Sequence, residues 1–319
     1  MNTRFFYLLI IQIISFFVLP AFIGCTESKQ NKNSTNHPEP VRKITYSNLL
    51  DKETQEELAK AMTDAGISPK NIVSFLQNVN QFNLAIEHKG LVEKGFFISD
   101  TLCPCYDEAM MQKMWDEKYP DFLGFNCRIT SFDLLRDFVT VEHPAQECPM
   151  MLVFDEGALD NCGRMLFSIE ERKIFRNLFS NIPTSYGKDI NEHLTNVRKN
   201  WQSKGIRFIH KNDPRKASLI SIVMHSAITP EESMLFFGHT GVLIPFGNKL
   251  LFIEKLAFQE PYQAIIFDDR TYLNDYLMNK YDVDWDQPTA SPFLMENDEL
   301  LEGYRMNPVK KHAAESRNL

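Results

Sequence analysis

Glycine is scarce in this chain, 13 among 319 residues, and nowhere gathers into the Gly-rich loop whose backbone N–H groups cradle phosphates. That lack argues against a nucleotide-binding fold. No segment repeats, which excludes a solenoid or propeller. Positive charge is also short: 34 Lys and Arg face 42 Asp and Glu, for a formal charge of −8. An acidic balance speaks against nucleic acid or an anionic lipid surface as partner, except through a local patch. Cysteines number six, and Cys103-Pro-Cys105 has no second pair at zinc-ribbon spacing. No cofactor and no metal is therefore expected. Beyond the N-terminal segment no apolar run is long enough to cross a membrane.

What is present begins with that segment. Arg4 precedes the apolar run from Phe5 to Val18, and Leu19-Pro20-Ala21-Phe22-Ile23-Gly24-Cys25 ends in a small residue followed by cysteine. The pattern reads as an export signal over 1–24, and its Gly-Cys ending resembles a bacterial lipobox, with Cys25 as the lipidated residue. An uncleaved anchor helix is the alternative. Residues 25–42 are rich in Asn, Ser, Lys and Pro and read as a flexible tether. The expected address is the bacterial cell envelope, outside the cytoplasm, with the membrane as partner through the lipid on Cys25. Five cysteines then remain, so at least one thiol stays unpaired within the chain. Cys148 and Cys162 are placed to pair across a loop, and Cys127 is the natural free thiol.

The rest reads as one α+β domain over 43–292, helical through 43–205 and sheet-forming through 206–281, with a charged, loosely held tail at 293–319. Helices are expected over 51–65, after Ser68-Pro69, over 107–118, after Asn126, after the capping box Ser168-Ile-Glu-Glu171, and over 189–204 before Gly205. Met150 to Phe154 reads as a buried strand. Strands are expected over 206–210, 219–225, 239–244, 250–254 and 262–267, joined by short connectors into an antiparallel sheet, with a helix over 269–281.

Two segments carry candidate chemistry. Asn126 is a good N-cap, which places Cys127 in the first turn of a helix, where backbone N–H groups and the helix dipole stabilise a thiolate. His239 opens a short apolar strand. A turn centred near Gly247-Asn248 sets Gly241 opposite Glu254 and His239 opposite Leu256, so His239 and Glu254 share a face as diagonal neighbours. The trio then fits nucleophile, base and orienting acid, with the Cys127 N–H and the Asn126 side chain at the oxyanion. Gln259 and Glu260 are substitutes for Glu254, and His225 is a rival base. His143, His193 and His210 read as surface residues.

Asn126-Cys127-Arg128, His239-Thr-Gly-Val and Phe252-Ile-Glu-Lys255 resemble the papain-like amidases and peptidases of the NlpC/P60 type. The resemblance implies a papain-like fold and hydrolysis of an amide, commonly in cell-wall peptides. The NlpC/P60 enzymes usually read Asp-Cys-Ser-Gly at the nucleophile, whereas Arg128 here is large. From Tyr46-Ser-Asn-Leu to Phe258-Gln-Glu-Pro-Tyr-Gln263 the chain resembles the bacterial lipoprotein family called domain of unknown function 4300, which implies no activity.

Three functions follow as expectations. The first is a lipid-anchored cysteine hydrolase acting on a peptide or related amide. The second is a non-catalytic surface lipoprotein that binds a partner or nutrient, a reading favoured by the Met110-Met111-Met114-Trp115 stripe. The third is a redox or metal role for Cys103 and Cys105.

Overall fold

The structure is a computed structural model and describes residues 43–145, 149–283 and 288–307. The expected signal, lipidation site and tether, together with Cys148, lie outside the described residues. The chain order is β1 (Thr45–Ser47), α1 (Lys52–Asp64), α2 (Pro69–Ala85), β2 (Phe97–Ile98), α3 (Glu108–Lys118), α4 (Cys127–Leu135), β3 (Val139–Val141), α5 (Val153–Asn161), α6 (Ile169–Leu178), β4 (Ile182–Pro183), α7 (Ile190–Lys204), β5 (Ile206–Phe208), β6 (Ser218–Ala227), β7 (Ser233–Phe246), β8 (Lys249–Lys255), β9 (Tyr262–Phe267), α8 (Arg270–Tyr281), β10 (Phe293–Glu296) and β11 (Glu299–Leu300).

Local chemistry sets the helix starts. The side chains of Asp51, Ser68, Asp107, Asn126, Ser168 and Asp189 each accept a backbone N–H of the first turn, and Pro69 occupies a position where no N–H is needed. Glu171 completes the capping box at Ser168. Gly205 ends α7 at φ +66°, a left-handed conformation that suits glycine.

The main sheet is antiparallel, ordered β11-β10-β6-β7-β8-β9-β1-β2, with β4 pairing to β7. One face packs on the helical half: Ile72, Phe75, Val79 and Phe82 of α2 and Ile129 and Phe132 of α4 meet Val242, Ile244, Leu251 and Ile253. The other face, through Leu243, Phe252 and Ile265, packs on Leu273, Tyr276 and Leu277 of α8. Burying a side chain of this kind contributes about 1.5–3 kcal/mol, so the two layers hold the sheet from both sides.

Four expectations are corrected. Met150 to Phe154 is a 3₁₀ turn leading into α5, not a strand. A short apolar run does not distinguish the two, and here Leu152, Asp155, Ala158 and Leu159 are buried at helical spacing while Met150 and Val153 face out. The strand after Gly205 stops at Phe208 and pairs with β3 in a separate two-stranded sheet. The helical half also supplies β1, which sits beside β9 in the main sheet. The tail expected to be loose begins instead with β10, whose Phe293, Leu294 and Met295 are buried against β6.

Candidate functional site

A bulge aims the histidine. Ile222 pairs with His239 and Val223 with Phe237, so Gly238 is the extra residue on β7. A side chain at Gly238 would collide with Met224. The bulge shifts the alternation of β7: Phe237 points into the helical core, and after Gly238 it is Thr240 and Val242 that do so. His239 is thereby turned to the α8 face, where its ring stacks on Tyr281 at 4.9 Å.

The hairpin register is the one counted from the turn. Phe246 pairs with Lys249, and the ladder runs to Val242 opposite Ile253. There the β7–β8 pairing ends, although both strands continue beside their other neighbours. Gly241 sits at this point of separation, where a Cβ would lie 2.3 Å from the Phe252 ring. Beyond it Glu254 reaches His239 Nε2 through Oε2 at 2.5 Å.

The carboxylate is itself held. Tyr276 donates its hydroxyl to Glu254 Oε1 at 2.6 Å, and Gln263, directly opposite on β9, donates its amide to the same oxygen at 2.7 Å. Tyr106 in turn donates to Gln263 Oε1 at 3.2 Å. Burial alone would raise the Glu254 carboxyl, but the hydrogen bond and charge of His239, then Lys280 and Tyr276, bring it below its ordinary value.

Cys127 is the first residue of α4, and Asn126 fixes it there. Asn126 Oδ1 accepts the Ile129 N–H at 3.0 Å, and its Nδ2 donates to Asp155 at 2.8 Å. The amide expected at the oxyanion is thus engaged at both atoms in holding the helix start. His239 and the backbone N–H of Thr240 lie close enough to the Cys127 sulfur to stabilise its thiolate. Because Nε2 is occupied by Glu254, the imidazole nitrogen left for sulfur is Nδ1.

These contacts set the proton balance. Burial would raise the Cys127 thiol; the charge and hydrogen bond of His239, the Arg128 guanidinium and the Thr240 N–H outweigh it and bring the thiol below its ordinary value. Burial would lower His239, but Cys127 and then Glu254 raise it to about 9. The arrangement favours a thiolate–imidazolium pair whose titration belongs to the pair. All three side chains are enclosed: Cys127 is 6%, His239 1% and Glu254 0% exposed.

Arg128 forms a fork on Asp155, at 3.0 and 2.7 Å, and donates to the Phe237 carbonyl at 3.1 Å. Its bulk is taken up by α5 and β7, and Asp155 joins both Arg128 and Asn126 to the buried start of α5. Lys255 is buried on the opposite face of β8 from Glu254. Its ammonium binds the carbonyls of Ala257, Phe258 and Glu260 and lies 3.8 Å from the Phe82 ring centre.

The remaining candidates lie elsewhere or act differently. His225 is on β6, where its Nδ1 accepts the Ala290 N–H at 3.0 Å and its ring faces His193 at 4.5 Å. His193, expected at the surface, is buried between Thr184 and Gly187. Gln259 bonds Glu108 and leaves the orienting position to Glu254. Cys103, Cys105, Cys127 and Cys162 are all free thiols. Burial raises the Cys103 thiol above its ordinary value, the reverse of Cys127. No group of three or more metal-ligating side chains occurs among the described residues.

Sequence reasoning missed Gln263, Tyr276, Tyr281, Arg128 and Asp155 as members of the network. Extending the register across one more strand would have placed Gln263 beside Glu254; nothing in the sequence marks the two tyrosines.

The fold and cluster define a mixed α+β protein with an enclosed Cys-His-Glu chain at a helix start. The chain belongs to the family described as domain of unknown function DUF4300, which matches residues 45–301. Comparisons with curated proteins and with solved structures give no match.

Proposed function

We propose that this protein is an exported, lipid-anchored cysteine hydrolase that transfers the acyl group of a peptide or related amide to water. The observation that carries the reading is the Cys127 thiol at the start of α4, its thiolate favoured by a histidine whose Nε2 is held by a buried glutamate. The Cys127 thiolate attacks the amide carbonyl carbon, and the charge passes to the carbonyl oxygen. The backbone N–H of Cys127, at the positive end of α4, is the donor for that oxyanion in this reading. The His239 imidazolium then gives its proton to the departing amine, the C–N bond breaks, and a thioester on Cys127 remains. Neutral His239 takes a proton from water, hydroxide attacks the thioester, and the thiolate leaves with the imidazolium restored. Glu254 keeps Nδ1 directed at sulfur and stabilises the imidazolium.

The short matches around Cys127, His239 and Glu254 support a papain-like, NlpC/P60-like amidase, with cell-wall peptide as substrate. The Arg128–Asp155 fork explains how a large residue follows the nucleophile without occupying the sulfur. Placement in the envelope rests on the apolar run and the Gly24-Cys25 ending.

Enclosure of the cluster favours a second reading, a surface lipoprotein in which the three residues only stabilise the fold. A small iodoacetamide-type probe separates the two. Cys127, identified by peptide mass spectrometry, is expected to alkylate well below the pH at which ordinary thiols react, and His239→Ala is expected to abolish that advantage. Slow alkylation with an ordinary pH profile, unchanged by His239→Ala, would overturn the hydrolase reading.

A further inference from the structure

A second site, independent of the Cys127 cluster, lies where the start of α2 meets the loop between α5 and α6. A cavity of about 450 Å³ opens there, lined by Lys70, Arg136 and Arg164 together with Ser74, Gln77 and Met165, and no carboxylate lines it. Three cations without an acid is the reverse of a chain whose formal charge is −8.

The arginines differ in how they are compensated. Of the ten among the described residues, Arg128, Arg136, Arg172, Arg176, Arg198, Arg207, Arg215, Arg270 and Arg305 each pair with a carboxylate. Arg164 alone has none among those residues. Neutral oxygens hold it instead: Nη1 donates to Gln77 at 2.8 Å and Nη2 to Asn78 at 2.5 Å. Two acids stand behind the lining, and Arg136 takes up both, Asp133 at 3.1 Å and Glu171 at 3.6 Å; Asp133 also accepts from Ser74. Arg164, whose charge is felt by Asp133, is therefore a cation fixed in direction with no carboxylate in ion-pair contact among the described residues, a geometry suited to an oxyanion. Lys70 stands exposed at the rim without an ion pair among the described residues. Met165 and Val73, 81% and 54% exposed, give one wall an apolar surface.

We propose that this cavity binds a ligand bearing a phosphate or carboxylate group, with the anion on Arg164 and Lys70 and a non-polar part against Met165 and Val73. The probe is inorganic phosphate, titrated against chloride at matched ionic strength while the melting temperature of the full chain is followed. Phosphate is expected to raise the melting temperature saturably, and R164Q to raise the half-saturating concentration by about tenfold or more, the loss of a charged hydrogen bond. A shift equalled by chloride, or the same half-saturation in R164Q, would overturn the proposal. Should R164Q fail to fold, the exposed Lys70→Gln carries the test: weaker phosphate binding supports the site, and unchanged binding removes it. Sedimentation with phosphatidylglycerol vesicles identifies the source of the anion. Binding lost only in R164Q assigns it to a lipid headgroup, and equal binding by both proteins assigns it to a soluble ligand.

Discussion

His239 and His225 sit on neighbouring strands of one sheet, each almost wholly enclosed, and their surroundings drive them in opposite directions. Burial works against the charged form of both. At His239 it is overcome by the Cys127 sulfur and Glu254, and the ring is raised to about 9. At His225 nothing anionic answers it: His193 and Lys188 add to the effect of burial, and the ring falls below its ordinary value. Depth within the fold therefore does not set the charge of a histidine; the charged groups packed against its ring do. This difference singles out His239 as the group prepared to exchange a proton with sulfur.

Removing the carboxylate should turn the first histidine into the second. Glu254→Ala leaves a buried cation and the groups of Tyr276 and Gln263 without their acceptor, and is expected to cost about 3–5 kcal/mol in a urea titration. Glu254→Gln preserves the shape and is the sharper test. By NMR, His239 should fall from about 9 towards the lowered value of His225. A His239 that stays raised in Glu254→Gln would show that sulfur alone holds it.

The next contrast is kinetic. Near pH 6, His239→Ala should slow alkylation of Cys127 by roughly a hundredfold or more, because the main group that outweighs burial is lost, the thiol rises and the thiolate fraction drops accordingly. His225→Ala should leave the rate within about a factor of two, since its ring faces His193 rather than sulfur. Equal effects from the two substitutions would mean that both act through the fold.

How much of this was legible follows from which forces are local. Asn126, Ser68 and the Ser168 box cap helices with atoms two or three residues away, and a short turn fixes the register that brings His239 to Glu254. Those features are written within a few residues of sequence. The α+β class and the DUF4300 family were legible in the same way. Asp155 was hidden because its helix begins with an apolar run that looks like a strand. Tyr276 and Tyr281 reach the cluster only because α8 packs on the outer face of the sheet. His193 sits on a mostly polar helix, and its burial depends on the preceding turn folding back over it. The bulge at Gly238 is equally silent, since one extra residue leaves no mark on an apolar strand.

The mildest expected effect is on stability against pH, and it depends on where one proton sits. Between about pH 6.5 and 8.5 the unfolded chain carries one proton for this pair, on sulfur, with the imidazole neutral. A folded thiolate–imidazolium pair also carries one, on nitrogen. Equal proton counts give no slope, so the pair should contribute a plateau over that window. Cys127→Ala breaks the balance. The unfolded histidine then loses its proton above about pH 6.5 while Glu254 still favours the charged ring in the folded state, so stability should fall as pH rises, by about 1 kcal/mol per pH unit or less. His225 contributes with the other sign. Its folded value is lowered, so its contribution is complete above about pH 6.5 and is lost as pH falls and the unfolded ring takes up a proton. His225→Gln should accordingly flatten the acid side and leave the plateau untouched. Urea midpoints from about pH 5 to 9 for the parent, Cys127→Ala and His225→Gln measure all three slopes. Superimposable profiles for the parent and Cys127→Ala would show that Glu254 does not hold the His239 proton without the sulfur, and would leave Cys127 as the group on which the contrast between the two histidines rests.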